Sequence, residues 1–182
     1  RHIQSHGMGI PSDEELERPI MWRFWRALPP KGKIGIFLGS WYTWDILNRV
    51  FNRIKNAELD QSMDRAVRFE KMLNDEGALV IKFWLHLSKD KQEKRLKAME
   101  KNPKTRWRVT ERDWIHFKMY DKFRKVAERV MRQTSTAEAP WMIVEGEDER
   151  YRSLTVGKVI LEAIRKRLDA VEAPHDAHAP PL

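Results

Sequence analysis

The chain has 182 residues and a formal net charge of +8, with 41% hydrophobic and 34% charged residues and no cysteine. Such a length suits one domain with a core of its own, and the lack of Cys excludes a disulfide framework and any thiolate metal site. No apolar run approaches the ~18 residues of a membrane span and the first residues carry no signal-peptide pattern, so a cytoplasmic location is expected. The charge is uneven: Asp169 to Leu182 holds three acids and no Lys or Arg, which leaves about +11 on the remainder. A body this basic suits polyanions (nucleotides, nucleic acid or chains of phosphate), the alternative being a well-solvated surface.

In chain order, Arg1 to Gly9 reads as a strand that starts without a cap or turn, as expected of a chain beginning inside an element of a longer protein. Ser12 is placed to cap a helix whose first turn carries Asp13, Glu14 and Glu15 on the positive end of its dipole. Met21, Trp22, Phe24, Trp25 and Leu28 give that segment an apolar face, and Pro29-Pro30 ends it. Ile34 to Leu38 is a buried strand; Leu47, Val50, Phe51 and Ile54 then recur at helical spacing. A further helix runs from about Asp60 to Asp75, with Gly77 as its left-handed stop.

Ala78 to Leu87 and Trp141 to Val144 read as inner strands, and Val156, Val159, Ile160, Ala163 and Ile164 form the stripe of a last helix docked on a sheet. Apolar strands separated by amphipathic helices predict an α/β fold, a parallel sheet with helices on both faces. Between them, Ser88 to Lys101 is helical yet carries only Leu96 and Met99 as sizeable apolar residues, so it projects from the body. Asn102-Pro103 ends it, and a long helix from about Glu111 to Gln133 packs back on the core. Two helices joined by a basic turn, about 88–115, make a lid. Residues 1–168 form the domain, and 169–182, rich in Ala, Pro and acids, are expected to be a disordered tail.

The lid carries the strongest chemical signal. Between Lys89 and Arg112 stand ten Lys or Arg residues against four acids, and Lys104, Arg106 and Arg108 surround the helix break. Mobile cations of this kind stabilise charge on a transferring phosphoryl group; pairs such as Asp90 with Lys94 and Glu93 with Lys97 would equally suit a solvated helix. Trp107 and Trp114, set among these cations, could stack on a base, although packing between lid and core is the preferred role. Neither Gly32-Lys33 nor Gly157-Lys158 has the upstream Gly and following hydroxyl of a phosphate loop. Leu38-Gly39-Ser40 offers no carboxylate where magnesium would need one. The His2/His6 and His175/His178 pairs lie at chain ends without the further ligands that a metal site requires. Ser40 has no acid–base neighbour to activate it as a nucleophile. No catalytic and no metal residue is therefore assigned.

Several blocks together resemble the type-2 polyphosphate kinases. They are Met21 to Pro29, Gly32 with Ile34 to Phe37, Ser40-Trp41-Tyr42, Phe69 to Leu73 with Gly77, Ile81 to Leu85, Ser88-Lys89-Asp90 with Gln92, Arg106-Trp107, Asp113-Trp114, Tyr120, Thr134, Ala139-Pro140-Trp141 and Val144. The likeness spans roughly Pro11 to Leu168. It is greatest to the degenerate first unit of tandem polyphosphate:AMP phosphotransferases, around Gly39 to Thr43 and Val144-Glu145-Gly146.

The resemblance implies a P-loop-kinase-like parallel sheet with a helical lid, lacking here its first strand and phosphate loop. It also implies magnesium-dependent transfer between inorganic polyphosphate and adenine nucleotides. Active members continue the strand ending at Phe37 with an Asp and an Arg, where this chain has Leu38 and Gly39. A truncated pseudoenzyme is expected, binding no magnesium and inactive alone, that binds polyphosphate or supports assembly with a second catalytic unit or as a homo-oligomer. Arg23, Arg26, Lys82, Lys104 and Arg106 match positions where polyphosphate could be contacted. A basic nucleic-acid-binding module is the alternative, with nucleic acid the less favoured partner and membranes excluded; a mononucleotide kinase of another family ranks last.

Overall fold

A computed structural model describes residues 2–172. The first strand, β1 (Ile3–Gly7), pairs in parallel with β2 (Ile34–Leu38), Ile3 opposite Ile34 and Gly7 opposite Leu38. Further along the chain β3 (Lys82–His86) pairs in parallel with β4 (Trp141–Glu145), Lys82 opposite Trp141. The α/β class and parallel pairing follow the sequence pattern. The difference is that the strands form two two-stranded sheets rather than one continuous sheet.

Between β1 and β2 the predicted single helix is two. Ser12 and Glu15 close a reciprocal capping box at the start of α1 (Asp13–Leu16), Glu15 N–H donating to Ser12 Oγ at 3.3 Å and Ser12 N–H to Glu15 Oε2 at 2.9 Å. Pro19 then interrupts, since it lacks an amide donor and disfavours helical backbone at Arg18. The chain resumes as α2 (Trp22–Trp25).

The core lies where α3 (Thr43–Val50), α4 (Asn56–Asp75) and α7 (Tyr120–Thr134) meet. Leu59, Met63 and Ala66 recur every three or four residues along α4, and pack with Tyr42, Ile46 and Val50 on one side and Val126 and Val130 on the other. Helix α3 stops earlier than the apolar spacing suggested. Asn52 takes φ +57° and closes its end, with Arg53 N–H bonded to Asn48 O and Asn52 N–H to Arg49 O. At the end of α4 Gly77 takes φ +87°, the left-handed stop predicted for it.

The lid begins with α5 (Lys89–Lys101), passes through a 3-10 turn at Arg106–Arg108 and returns as α6 (Glu111–Lys118). The long second helix expected here is broken at Met119, which separates α6 from α7. The physical reason is a change of neighbour: α6 packs against α5, whereas α7 packs on α3 and α4. Finally α8 (Glu149–Glu172) lays Val156, Val159, Ile160, Ala163 and Ile164 inward, all half-buried, and meets β4. It overruns Asp169, where the tail was expected to begin; the rest of that expected tail, 173–182, lies outside the described residues. No helix among the described residues is long and apolar enough to cross a membrane.

Candidate functional site

In parallel α/β sheets ligands collect beyond the carboxyl ends of the strands. Here four such ends are available. At β2 the strand ends on Leu38, 67% exposed, and Gly39 at φ +79°. A Cβ on Gly39 would lie 2.7 Å from Met8 O, because the exits of β1 and β2 converge there. Only glycine fits this backbone without strain, so this strand end presents an aliphatic side chain and a bare backbone.

At β1 the exit is tethered by Arg23, whose Nη1 donates to Gly9 O at 3.2 Å while its Nε lies 3.5 Å from Glu15. Arg23 is thus engaged in holding β1 to α2. Arg26 is exposed, its guanidinium 4.8 Å from the Trp22 ring.

Beyond β3 and β4 lies an open, basic cleft of about 470 Å3, lined by Lys91, Lys94 and Arg95 of α5 and by Glu147, Glu149 and Arg152. Arg152 Nη1 donates to Gly146 O at 2.8 Å, fixing the turn after β4. Lys91 is paired with Glu147, whose carboxylate holds the ammonium above its usual range. The sequence signal for Lys91, Lys94 and Arg95 was their i, i+3, i+4 spacing on one helix face. Arg152 gave none, because only folding brings α8 beside α5.

Lys82, the first residue of β3, is 6% exposed. Its ammonium donates to Glu70 Oε2 at 2.7 Å, Thr134 O at 2.7 Å and Tyr42 OH at 3.2 Å. Three protons meet three acceptors, and no donor is left for a ligand. Glu70 in turn accepts from Tyr42 OH at 2.6 Å and Trp41 Nε1 at 3.0 Å. Desolvation pulls the Lys82 ammonium below its usual range against the opposing pull of Glu70, and burial first, then the Glu70 charge, pushes the Tyr42 hydroxyl far up. This network holds the fold together.

Lys104 and Arg106 sit exposed at the tip of the lid, with no ion pair among the described residues. The five predicted residues fall on separate elements: Lys104 and Arg106 in the lid turn, Arg23 and Arg26 at α2, and Lys82 buried in β3. The two tryptophans also part company. Trp114 packs within the lid rather than between lid and core, Nε1–H donating to Glu100 of α5 at 3.2 Å and its ring edge-on to Phe117 of α6 at 5.8 Å. Trp107 does not pack; it is 74% exposed.

The description Polyphosphate kinase 2 (PPK2) belongs to the family profile that matches residues 1–172. The chain belongs to the polyphosphate kinase 2 family. A polyphosphate:AMP phosphotransferase of Pseudomonas aeruginosa is 55% identical over 183 residues, covering 100% of this chain and 37% of the relative. An AMP/ADP-polyphosphate phosphotransferase of Meiothermus ruber is 33% identical over 162 residues, 89% of this chain and 61% of the relative.

Among solved structures, a polyphosphate kinase 2 from Pseudomonas aeruginosa superposes with a TM-score of 0.78 at 50% identity, covering 92% of this chain and 33% of that one. One from Arthrobacter aurescens superposes at 0.87 with 26% identity, covering 100% and 62%. The fold is therefore that of the polyphosphate kinase 2 enzymes, P-loop-kinase-like with a lid. The chain spans little more than a third of the length of the Pseudomonas relative, which accords with one unit of a tandem protein.

The family implies magnesium, a cation that takes oxygen ligands. Leu38 and Gly39 bring no side-chain oxygen to the end of β2.

Proposed function

We propose that this chain is one unit of a polyphosphate-dependent phosphotransferase, of the polyphosphate:AMP or polyphosphate:ADP type. In this reading the unit gathers polyphosphate or supports assembly in the cytoplasm beside a second catalytic unit, and does not transfer phosphoryl groups by itself. The observation that carries the reading is the end of β2. Leu38 and the left-handed Gly39 stand there, and the close approach of Met8 O leaves no room for a side chain at Gly39. Positioning and neutralising groups at a transferring phosphoryl contribute several kcal/mol each, and this strand end supplies none of them.

The remaining cations act by electrostatics alone. Lys94, Arg95, Lys104 and Arg106 are exposed on the lid and can hold an extended polyanion. The split sheet supports a unit that works within a larger assembly. Parallel strands usually lie in sheets covered on both faces, yet Ile34, Ile36 and Leu38 leave one face of β2 open. A further strand or unit supplied by other polypeptide would cover it.

The test is an assay of the purified chain with polyphosphate, magnesium and AMP or ADP, alongside calorimetric titration with polyphosphate. Binding without turnover is the expected result. Turnover by this chain alone overturns the non-catalytic reading, and absence of binding overturns the polyphosphate role.

A further inference from the structure

The polyphosphate reading leaves one feature of the lid unexplained. Bare phosphate chains have no surface for an aromatic ring, yet the most exposed large hydrophobic residue among those described is Trp107, at the centre of the lid's most basic turn. The ring is not loose. Its Nε1–H donates to Lys104 O at 3.1 Å, and the turn beneath it is bonded at several points: Thr105 Oγ1 to Met99 O at 2.9 Å, Lys104 N–H to Asn102 Oδ1 at 3.0 Å, and Arg106 N–H to Asn102 O at 2.9 Å. An aromatic plane held out in water by its own turn is preorganised for stacking, since little freedom remains to be lost on contact.

The charge around it points to the partner. Between Glu100 and Glu111 the chain carries Lys101, Lys104, Arg106 and Arg108 and no acid. None of the four makes an ion pair among the described residues, whereas Lys89, Lys91 and Lys97 lower on α5 are bound to Asp121, Glu147 and Glu93. Arg108 lies 5.6 Å from the Trp107 ring centroid, a cation–π placement that keeps its guanidinium beside the stacking plane. An apolar protein partner would meet four uncompensated cations here, while a flexible anionic chain bearing planar bases meets both features at once.

We propose that the lid tip is a binding site for single-stranded nucleic acid, with a base stacked on Trp107 and flanking phosphates on Lys101, Lys104, Arg106 and Arg108. Such sites combine a cationic track with an aromatic platform and tolerate any base. The site lies beyond the polyphosphate reading and does not depend on it.

The experiment is fluorescence anisotropy of the full chain with a labelled single strand of roughly 12 nucleotides, within the usual span of such sites. Two controls are an abasic strand of equal phosphate number and tripolyphosphate as competitor. Trp107→Ala is expected to weaken strand binding about tenfold or more, the range of one lost base stack. Its affinity for the abasic strand and for tripolyphosphate should stay within about twofold, and Trp107→Phe should recover most of the loss. A thermal melt matching that of the wild type shows that the variant folds, as expected for so exposed a side chain. Equal affinity for abasic and normal strands overturns the proposal, as does an equal loss of strand and tripolyphosphate binding, or self-association of the chain through Trp107. Failure of tripolyphosphate to bind at all would instead strike the polyphosphate reading and leave the strand comparison intact.

Discussion

Lys82 and Glu70 form a buried ion pair of 2.7 Å, 6% and 2% exposed, that joins the start of β3 to the core helix α4. The pair is anchored further by Tyr42, Trp41 and the Thr134 carbonyl. Removing one partner from such a pair leaves a buried charge uncompensated. Lys82→Met is therefore expected to cost about 3–5 kcal/mol in chemical denaturation. Adding Glu70→Gln removes that stranded charge while keeping an acceptor for Tyr42 and Trp41. The double variant should be more stable than Lys82→Met alone, and strictly additive losses would contradict the coupling.

Gly39 carries the second prediction. Its φ of +79° and the 2.7 Å approach of Met8 O leave no room for a Cβ. Gly39→Ala should cost on the order of 1–3 kcal/mol, read as a lowered melting temperature. Gly32 also has a positive φ, but nothing lies within 4 Å of its Cβ position. Gly32→Ala should therefore cost less, by the part that the clash contributes.

His116 is expected to make the fold acid-sensitive. Its ring sits between Phe51 at 5.6 Å and Phe123 at 5.3 Å. Desolvation first and then Arg112 pull its pKa below 6.5, against the opposing charge of Asp113. A histidine with a depressed folded-state pKa favours the native state above its unfolded value. That contribution is complete above about pH 6.5 and is lost as the pH falls through the lower folded value. His116→Phe should flatten the dependence of stability on pH between 5 and 7, and an NMR titration of the ring should show a midpoint below 6.5.

The lid charges separate two kinds of cation. Lys104 and Arg106 are exposed at the tip, while Lys122 donates to Asn52 Oδ1 at 2.8 Å on the body, near Lys125. Reversal to Glu at Lys104 and Arg106 should weaken polyphosphate binding roughly tenfold at low salt, by analogy with the loss of phosphate contacts on nucleic acid. Reversal at Lys122 and Lys125 should have a smaller effect. Equal losses in calorimetric titration would reduce the lid to a generic cationic surface.

Local rules were legible in the residues themselves. Ser12 caps α1 because a cap needs only neighbours in sequence, and Gly77 stops α4 for the same reason. The α/β class, the parallel strands and the projecting polar helix follow from patterns of this kind, while the family likeness rests on the order of blocks such as Ser40-Trp41-Tyr42 and Ala139-Pro140-Trp141.

The fate of each cation was decided elsewhere. Lys82, Arg23 and Lys104 are equally basic in sequence, yet one is buried against Glu70, one tethers Gly9, and one stands in water. The acceptors Glu70 and Gly9 lie 12 and 14 residues away, and Tyr42 and Thr134 lie 40 and 52 residues away, so no local pattern announces them. Trp114 is likewise held by Glu100, 14 residues away, whereas Trp107 stands in water. Charge and period are properties of the chain, but desolvation and pairing exist only once distant segments meet, and these determine which lysine supports the fold and which stands in water.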